Sequence, residues 1–317
     1  MPTPHSLIDF FNDLDLGDIH VRRPDKFIFF CGGVFSNDDQ KPRSLRQYLL
    51  KTKNMSRSFN AKVVLAEEAN QLYRDTEFSD LISFEEEIAV ISSVVLVIAE
   101  SAGSLAELGA FATSDHIRPA LAVIMRSDYY EQNSFVRYGP VERLRQQDEG
   151  RVGVFPWRTT ASDSIITSST RGHLRSIANF INAQVKSFPD EFLYKNSGLY
   201  KDFAIILWVL HLSRAISITE IEEYINDIGH QISRKQLKNK LYCLKLAGWA
   251  GSYTYSNKTY WHPRVDIDPI SRYSYRPGTS GRDTTRRKLA ATTEIRHDLS
   301  VPNHVSRHII SVIGGAG

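Results

Sequence analysis

A chain of 317 residues has room for two domains with substantial cores. Its 42% apolar and 24% charged residues are those of a folded globular protein rather than a disordered one. The net charge of +3 is too small to argue for nucleic acid by itself, so charge distribution has to carry that argument.

Residues 1–25 are polar apart from an amphipathic patch at 7–16. A short apolar run, Lys26-Phe27-Ile28-Phe29-Phe30, then meets Cys31-Gly32-Gly33, the pattern of a buried strand entering a glycine turn. Residues 44–51 have helical spacing, and 62–65 form a second apolar run. Residues 83–91 read as a helix with Phe84, Ile88 and Ile91 on its core face and Glu85, Glu86 and Glu87 largely opposite. The cleanest buried strand is 94–99, followed by Glu100-Ser101-Ala102-Gly103-Ser104 and a helix over about 105–112. Residues 120–125 and 152–155 read as further strands, and 170–188 as a long amphipathic helix ending at Pro189.

Strands alternating with helices imply a parallel α/β sheet, Rossmann-like and of the flavodoxin-like kind, over 1–190. Ligands of such sheets bind beyond the carboxyl ends of the strands, which would bring the 31–33 and 100–104 turns together.

After Pro189 the pattern changes. Helices are expected at 199–212, after a cap at Thr219 with Glu222 three residues on, and from a Ser233 cap to Gly248. Residues 251–262 alternate around Ser256-Asn257, a hairpin signal. Three helices and a hairpin over 195–265 predict a winged helix-turn-helix. Arg234, Lys235, Lys238 and Lys258 are its candidate nucleic-acid contacts, with Lys240 and Lys245 on the same helix. Protein docking and a merely solvated lysine face are the competing readings. Residues 266–317 read as a basic tail, disordered or ordered by a partner, with a short helix near 284–295.

Cys31 and Cys243 lie in different predicted domains without a CxxC neighbour, so neither a disulfide framework nor a metal site is expected, and a cytoplasmic location fits. No apolar stretch is long enough to span a bilayer, so no membrane is expected as a partner.

The most informative segment is residues 100–111. Gly103 allows a tight turn and close ligand approach, Ser104 can cap the helix, and Gly109 permits close packing. Glu107 would then stand one turn into a helix at the crevice. The same spacing also fits a capping box between Ser104 and Glu107, which would make that carboxylate structural. Asp80 and Glu86 are candidate second carboxylates or plain helix-face charges, and Cys31 is a buried strand end or a nucleophile without a paired His.

The G-[ST]-x-x-E-[LIF]-G turn, here Gly103-Ser104-x-x-Glu107-Leu108-Gly109, resembles the nucleoside 2-deoxyribosyltransferase family over residues 26–190. With Glu100-Ser101, Phe111 and Phe30-Cys31-Gly32-Gly33, and joined to a winged helix, it looks most like the ribosyltransferase-like effectors of bacterial retrons. The resemblance implies chemistry at an N-glycosidic bond, with Glu107 catalytic and Cys31, Gly32, Gly33, Ser36, Ser101, Gly103 and Ser104 around the substrate. It further implies no cofactor, and as partners a reverse transcriptase with its RNA-linked single-copy DNA, in an oligomeric complex that restrains a toxic enzyme. Where the family carries an aspartate six residues before the glutamate, this chain has Ser101. The missing acid favours a leaving group that needs no proton, such as the cationic nicotinamide of NAD. The competing reading is a winged-helix transcriptional regulator whose Rossmann-like domain senses a nucleotide without turnover.

Overall fold

The computed structural model describes residues 3–35, 41–52, 55–68, 76–161, 164–299 and 301–314. Its strands, in chain order, are β1 (His20–Arg22), β2 (Phe27–Cys31), β3 (Lys62–Leu65), β4 (Val94–Ala99), β5 (Leu121–Arg126), β6 (Val152–Phe155), β7 (Glu191–Leu193), β8 (Ile216–Ser217), β9 (Ala250–Tyr255), β10 (Lys258–Pro263) and β11 (Ile270–Arg272). The chain divides into two compact units: residues 26–74 with 80–188, and residues 1–25 with 75–79 and 189–317.

The first unit is an α/β domain around a five-stranded sheet of order β3-β2-β4-β5-β6, parallel throughout. Numbered within the unit this is 2-1-3-4-5, the doubly wound order whose switch point falls between its first and third strands, here β2 and β4. Both of these strands are buried along their whole length, which is why they read as unbroken apolar runs. One core layer is formed by Ile28, Phe30, Leu96, Ile98 and Ile124 against Ile177 and Ile181 of the helix Leu174–Ser187. That helix begins four residues later than its amphipathic pattern implies, because the single turn Thr167–Thr170 and a 3-10 turn precede it.

The second unit differs from the expected division. The first 25 residues belong to it, not to the α/β domain. β1 is the central strand of an antiparallel sheet β11-β1-β7. The helix His5–Asn12 places Phe10 against Trp208 and Tyr273, with ring centroids 5.5 Å apart in both pairs. Residues 266–299 and 301–314 are likewise no loose tail. They supply β11 and the helices Thr284–Leu299 and Asn303–Gly314, with Ala291, Ile295 and Leu299 buried. The basic residues are tied in as well: Arg287 pairs with Asp13 at 2.7 Å, and Lys288 pairs with Asp268.

Between these segments run the helices Tyr200–Ser213, Ile218–Asp227 and Arg234–Ala247, then the β9–β10 hairpin, with β8 pairing on β10. Ser256 and Asn257 both have positive φ, 45° and 63°, as a two-residue turn matching strand twist requires. Ser233 caps its helix and Gly248 ends it in the left-handed region. The preceding cap is Ser217 with Glu220, two residues earlier than Thr219 with Glu222.

Candidate active site in the α/β unit

The turns after β2 and β4 meet as the parallel order demands, and Glu100 joins them. Its carboxylate accepts hydrogen bonds from the backbone N–H groups of Gly33 (3.2 Å), Leu45 (2.6 Å) and Arg46 (3.1 Å). Burial raises the Glu100 pKa, and the three N–H donors and Arg46 oppose that rise. Gly33 is required by this junction. A Cβ there would stand 2.7 Å from Ser44 Cβ and 3.1 Å from Glu100 Cγ, closer than atoms pack.

Arg46 is the second brace. Only 1% exposed, it donates to the Phe30 and Gly33 carbonyls and forms a two-pronged pair with Glu67. A fully buried guanidinium with this many partners is a fixed positive charge at the floor of the crevice. Gly32 borders it, since a Cβ there would lie 3.1 Å from Arg46 Cδ.

The helix carrying Glu107 runs Ala102–Thr113, one turn longer at its start than the glycine pattern implies. Ser101 is its N-cap and forms the capping box with Ser104. The Ser104 hydroxyl accepts from the Glu100 and Ser101 N–H groups at 3.1 and 3.0 Å. The Ser104–Glu107 capping box is therefore absent, and Ser104, 1% exposed, serves the turn rather than the crevice. Gly103 has ordinary helical backbone at an exposed position, where a Cβ would meet only Ser101 Oγ at 4.0 Å. It leaves open space and makes no sharp turn. Gly109 is not a packing contact either, since a Cβ there would meet nothing within 4 Å.

Glu107 Oε2 is buried without a hydrogen-bond partner among the described residues. Burial raises the Glu107 pKa to about 7; Arg46 pulls it down and Glu67 pushes it up. A second carboxylate faces it. Glu85, on the helix Leu81–Ile91, is 7% exposed, and burial followed by the charge of Glu107 raises its pKa to about 8. Cys31, the buried last residue of β2, has its thiol pushed well up by burial, then by Glu107 and Glu85, so it stays protonated and is no nucleophile.

The carboxylates nominated from sequence have other duties. Asp80 caps its helix by accepting from the Ser83 N–H at 2.8 Å, and Glu86 accepts from the Ser114 hydroxyl at 3.0 Å. Glu85 was hidden inside a three-glutamate run, although Ile88 and Ala89, three and four residues along, continue its buried stripe. The fold thus gathers Gly32, Gly33, Ser101, Gly103 and Glu107 at the carboxyl ends of β2 and β4, with Cys31 and Ser104 beneath as supports. Ser36 lies outside the described residues. No group of three or more His, Cys, Asp or Glu residues able to hold a metal occurs among the described residues. No helix among them is long and apolar enough to cross a membrane.

A family model for the STM3845 retron effector protein matches residues 42–252, two thirds of the 317-residue chain. The chain belongs to this retron effector family. Two Escherichia coli relatives are similar over the same order of length. The "Retron Ec73 putative ribosyltransferase/DNA-binding protein" is 26% identical over 126 residues, 39% of each chain. The "Retron Ec86 putative ribosyltransferase/DNA-binding protein" is 30% identical over 119 residues, 38% of this chain and 37% of the relative. This retron effector thus aligns with under two fifths of either relative's length.

In the second unit, the four cations nominated for nucleic acid are unequal. Arg234 pairs with Glu222 at 2.7 Å, Lys238 with Glu77 at 2.7 Å, and Lys258 with Glu220 at 2.8 Å. Lys235 is exposed and has no ion pair among the described residues, its charge only adding to that of Lys238 in lowering the Glu77 pKa. Lys240, on the same helix, is 3% exposed, paired with Asp202 at 3.2 Å and set over the Phe203 ring.

Proposed function

We propose that the α/β unit of this retron effector breaks an N-glycosidic bond of a nucleotide, with NAD the favoured substrate and Glu107 the catalytic group. The observation carrying this reading is the Glu107 carboxylate: half-buried, with Oε2 buried and unpartnered among the described residues, released from any capping role, and set at the switch point of a doubly wound sheet. As the bond from C1′ to the base breaks, its electron pair leaves with the base nitrogen and C1′ becomes oxocarbenium-like. The ionised Glu107 attacks C1′ or stabilises its charge, and water or another acceptor then takes the sugar and releases the carboxylate. With NAD the nicotinamide departs neutral and needs no proton. With an ordinary nucleoside the base needs an acid, and Glu85, protonated at neutral pH, is the group available to supply it.

The helices Tyr200–Ser213, Ile218–Asp227 and Arg234–Ala247 with the β9–β10 hairpin are proposed as a winged helix contacting nucleic acid. The names of the Ec73 and Ec86 relatives support both halves of the reading. The natural partners would be a reverse transcriptase and its RNA-linked DNA, holding a toxic enzyme in check within an oligomeric complex in the cytoplasm.

The test is expression of the wild type and Glu107→Gln without partner components, with NAD and nucleoside pools measured in the cells. Growth arrest and loss of one pool, both abolished by Glu107→Gln, support the reading and name the substrate. Steady pools and normal growth with both proteins, repeated with the partner components supplied, would move a non-catalytic nucleotide-sensing regulator ahead.

A further inference from the structure

A second built cavity lies within the carboxyl-terminal unit, apart from the Glu107 crevice. It encloses roughly 590 Å³, within the range of small-molecule sites. Its polar side is Arg214, Arg296 and Asp266. Arg214 pairs with Asp266 at 2.5 Å, while Arg296 has no ion pair or hydrogen bond among the described residues. Arg214 therefore takes up the Asp266 carboxylate, and the positive charge of Arg296 beside it is left unmatched among the described residues. Loss of hydration and the neighbouring Arg214 both press on the Arg296 cation, so an added anion relieves both.

Two further features mark the site as built. Arg214 ends the helix Tyr200–Ser213 with φ 63° and ψ −36°, a region that side chains other than glycine rarely enter. Strain of this kind persists where a ligand clamp holds it. The opposite wall is apolar, with Ile309 and Ile313 of the helix Asn303–Gly314, and Asn303 and Ser306 of that helix add hydrogen-bonding groups. A guanidinium pair facing an apolar wall with an amide and a hydroxyl suits a phosphate joined to a flat, partly apolar body.

We propose that this cavity is a nucleotide site that takes a nucleoside 5′-monophosphate, with the phosphate on Arg214 and Arg296 and the base against Ile309 and Ile313. The ligand is either a free nucleotide or the phosphorylated end of a single-stranded nucleic acid. The site does not depend on catalysis at Glu107.

The test is photolabelling of the full-length protein with 8-azido-AMP and mapping of the labelled peptides by mass spectrometry. Label is expected in peptides covering residues 296–313, reduced at least tenfold by Arg296→Ala and unchanged by Glu107→Gln. Ile310→Glu, at a side chain 64% exposed on the same cavity, adds a repelling charge without disturbing the core and should reduce label equally. Circular dichroism would check that both variants fold. Protection by excess AMP identifies a free nucleotide, and stronger protection by a 5′-phosphorylated tetranucleotide identifies a nucleic-acid end. Absence of label from 296–313, label insensitive to Arg296→Ala and Ile310→Glu, or label that neither competitor suppresses would overturn the proposal.

Discussion

Glu107 and Glu85 titrate against one another, and that coupling sets the pH behaviour of the site. Glu107, with its pKa near 7, ionises first, and its charge then holds the proton on Glu85 up to about 8. Between these values the pair carries one charge and one proton, the arrangement that general acid and nucleophile chemistry needs. Cleavage should therefore rise with pH through about 7, as Glu107 ionises. A rate that stays flat between pH 5 and 8 would remove Glu107 from the chemical step. Glu85→Gln sorts the substrates: turnover of NAD should survive within a fewfold, while cleavage of a neutral nucleoside should fall roughly 10²–10⁴-fold.

Stability has the opposite pH trend. A carboxyl raised in the folded state contributes most below its unfolded pKa, and that contribution is lost as pH rises through the folded value. For Glu85 the window runs from the ordinary value of 4.5 to about 8. Glu85→Gln should thus raise the thermal midpoint at pH 8.5 and leave it nearly unchanged at pH 4.5. Each kcal/mol recovered is worth roughly 2–4 °C in a unit of this size. Glu85 shows where reading by residue type fails. A run of three glutamates looks solvated, and only the helix phase against Ala89 shows that the first one turns inward.

At the scale of elements, the same residue type does opposite things according to what lies beside it. Gly33→Ala should cost about 1–3 kcal/mol, because the new methyl collides with Ser44 and Glu100, which are fixed by their own hydrogen bonds. Gly109→Ala, in the interior of the helix Ala102–Thr113 with open space around it, should stabilise by about 0.5–1 kcal/mol. Paired denaturant unfolding curves on the two variants would check both signs. The central strands β2, β4 and β5 were legible as apolar runs because burial on both faces leaves no polar residue in them before Arg126 at the end of β5. The start of the Glu107 helix was not, because Ser101 and Ser104 are equally good caps and only the three-dimensional turn selects Ser101.

The basic helix face teaches the same lesson with charge. Arg234, Lys238 and Lys258 are each matched to a glutamate nearby, so their positive charge is largely spent inside the unit. If this face meets a phosphate backbone, Lys235→Ala should weaken binding most among the four single variants. It should also lower the salt slope of log K by about 0.9 on duplex DNA. Glu77→Gln and Glu222→Gln should strengthen binding by freeing their partners. Fluorescence anisotropy over a salt series distinguishes this from a protein-docking face, on which the slope would not move.

For the whole molecule, the decisive contacts join the two ends of the chain, and sequence reading cannot see such pairings. Residues 1–25 are polar and residues 266–317 aperiodic, so each looks expendable by itself. Together they close the second unit. β1 sits between β11 and β7, Phe10 packs between Trp208 and Tyr273, and Glu294 accepts hydrogen bonds from the His5 and Ser6 backbone at 3.2 and 3.1 Å. A central strand has partners on both sides, so its loss opens two edges and uncovers the aromatic cluster beneath. Deleting residues 1–25 should leave the α/β unit folded, because its five strands all lie within residues 26–188. The second unit should lose cooperative unfolding and protection of its amides from hydrogen exchange. Supplying residues 1–25 as a separate peptide should restore protection in residues 189–317 in a concentration-dependent way. If exchange in those residues is unchanged by the deletion, the amino-terminal segment is an appendage and the division of the chain falls at residue 189 after all.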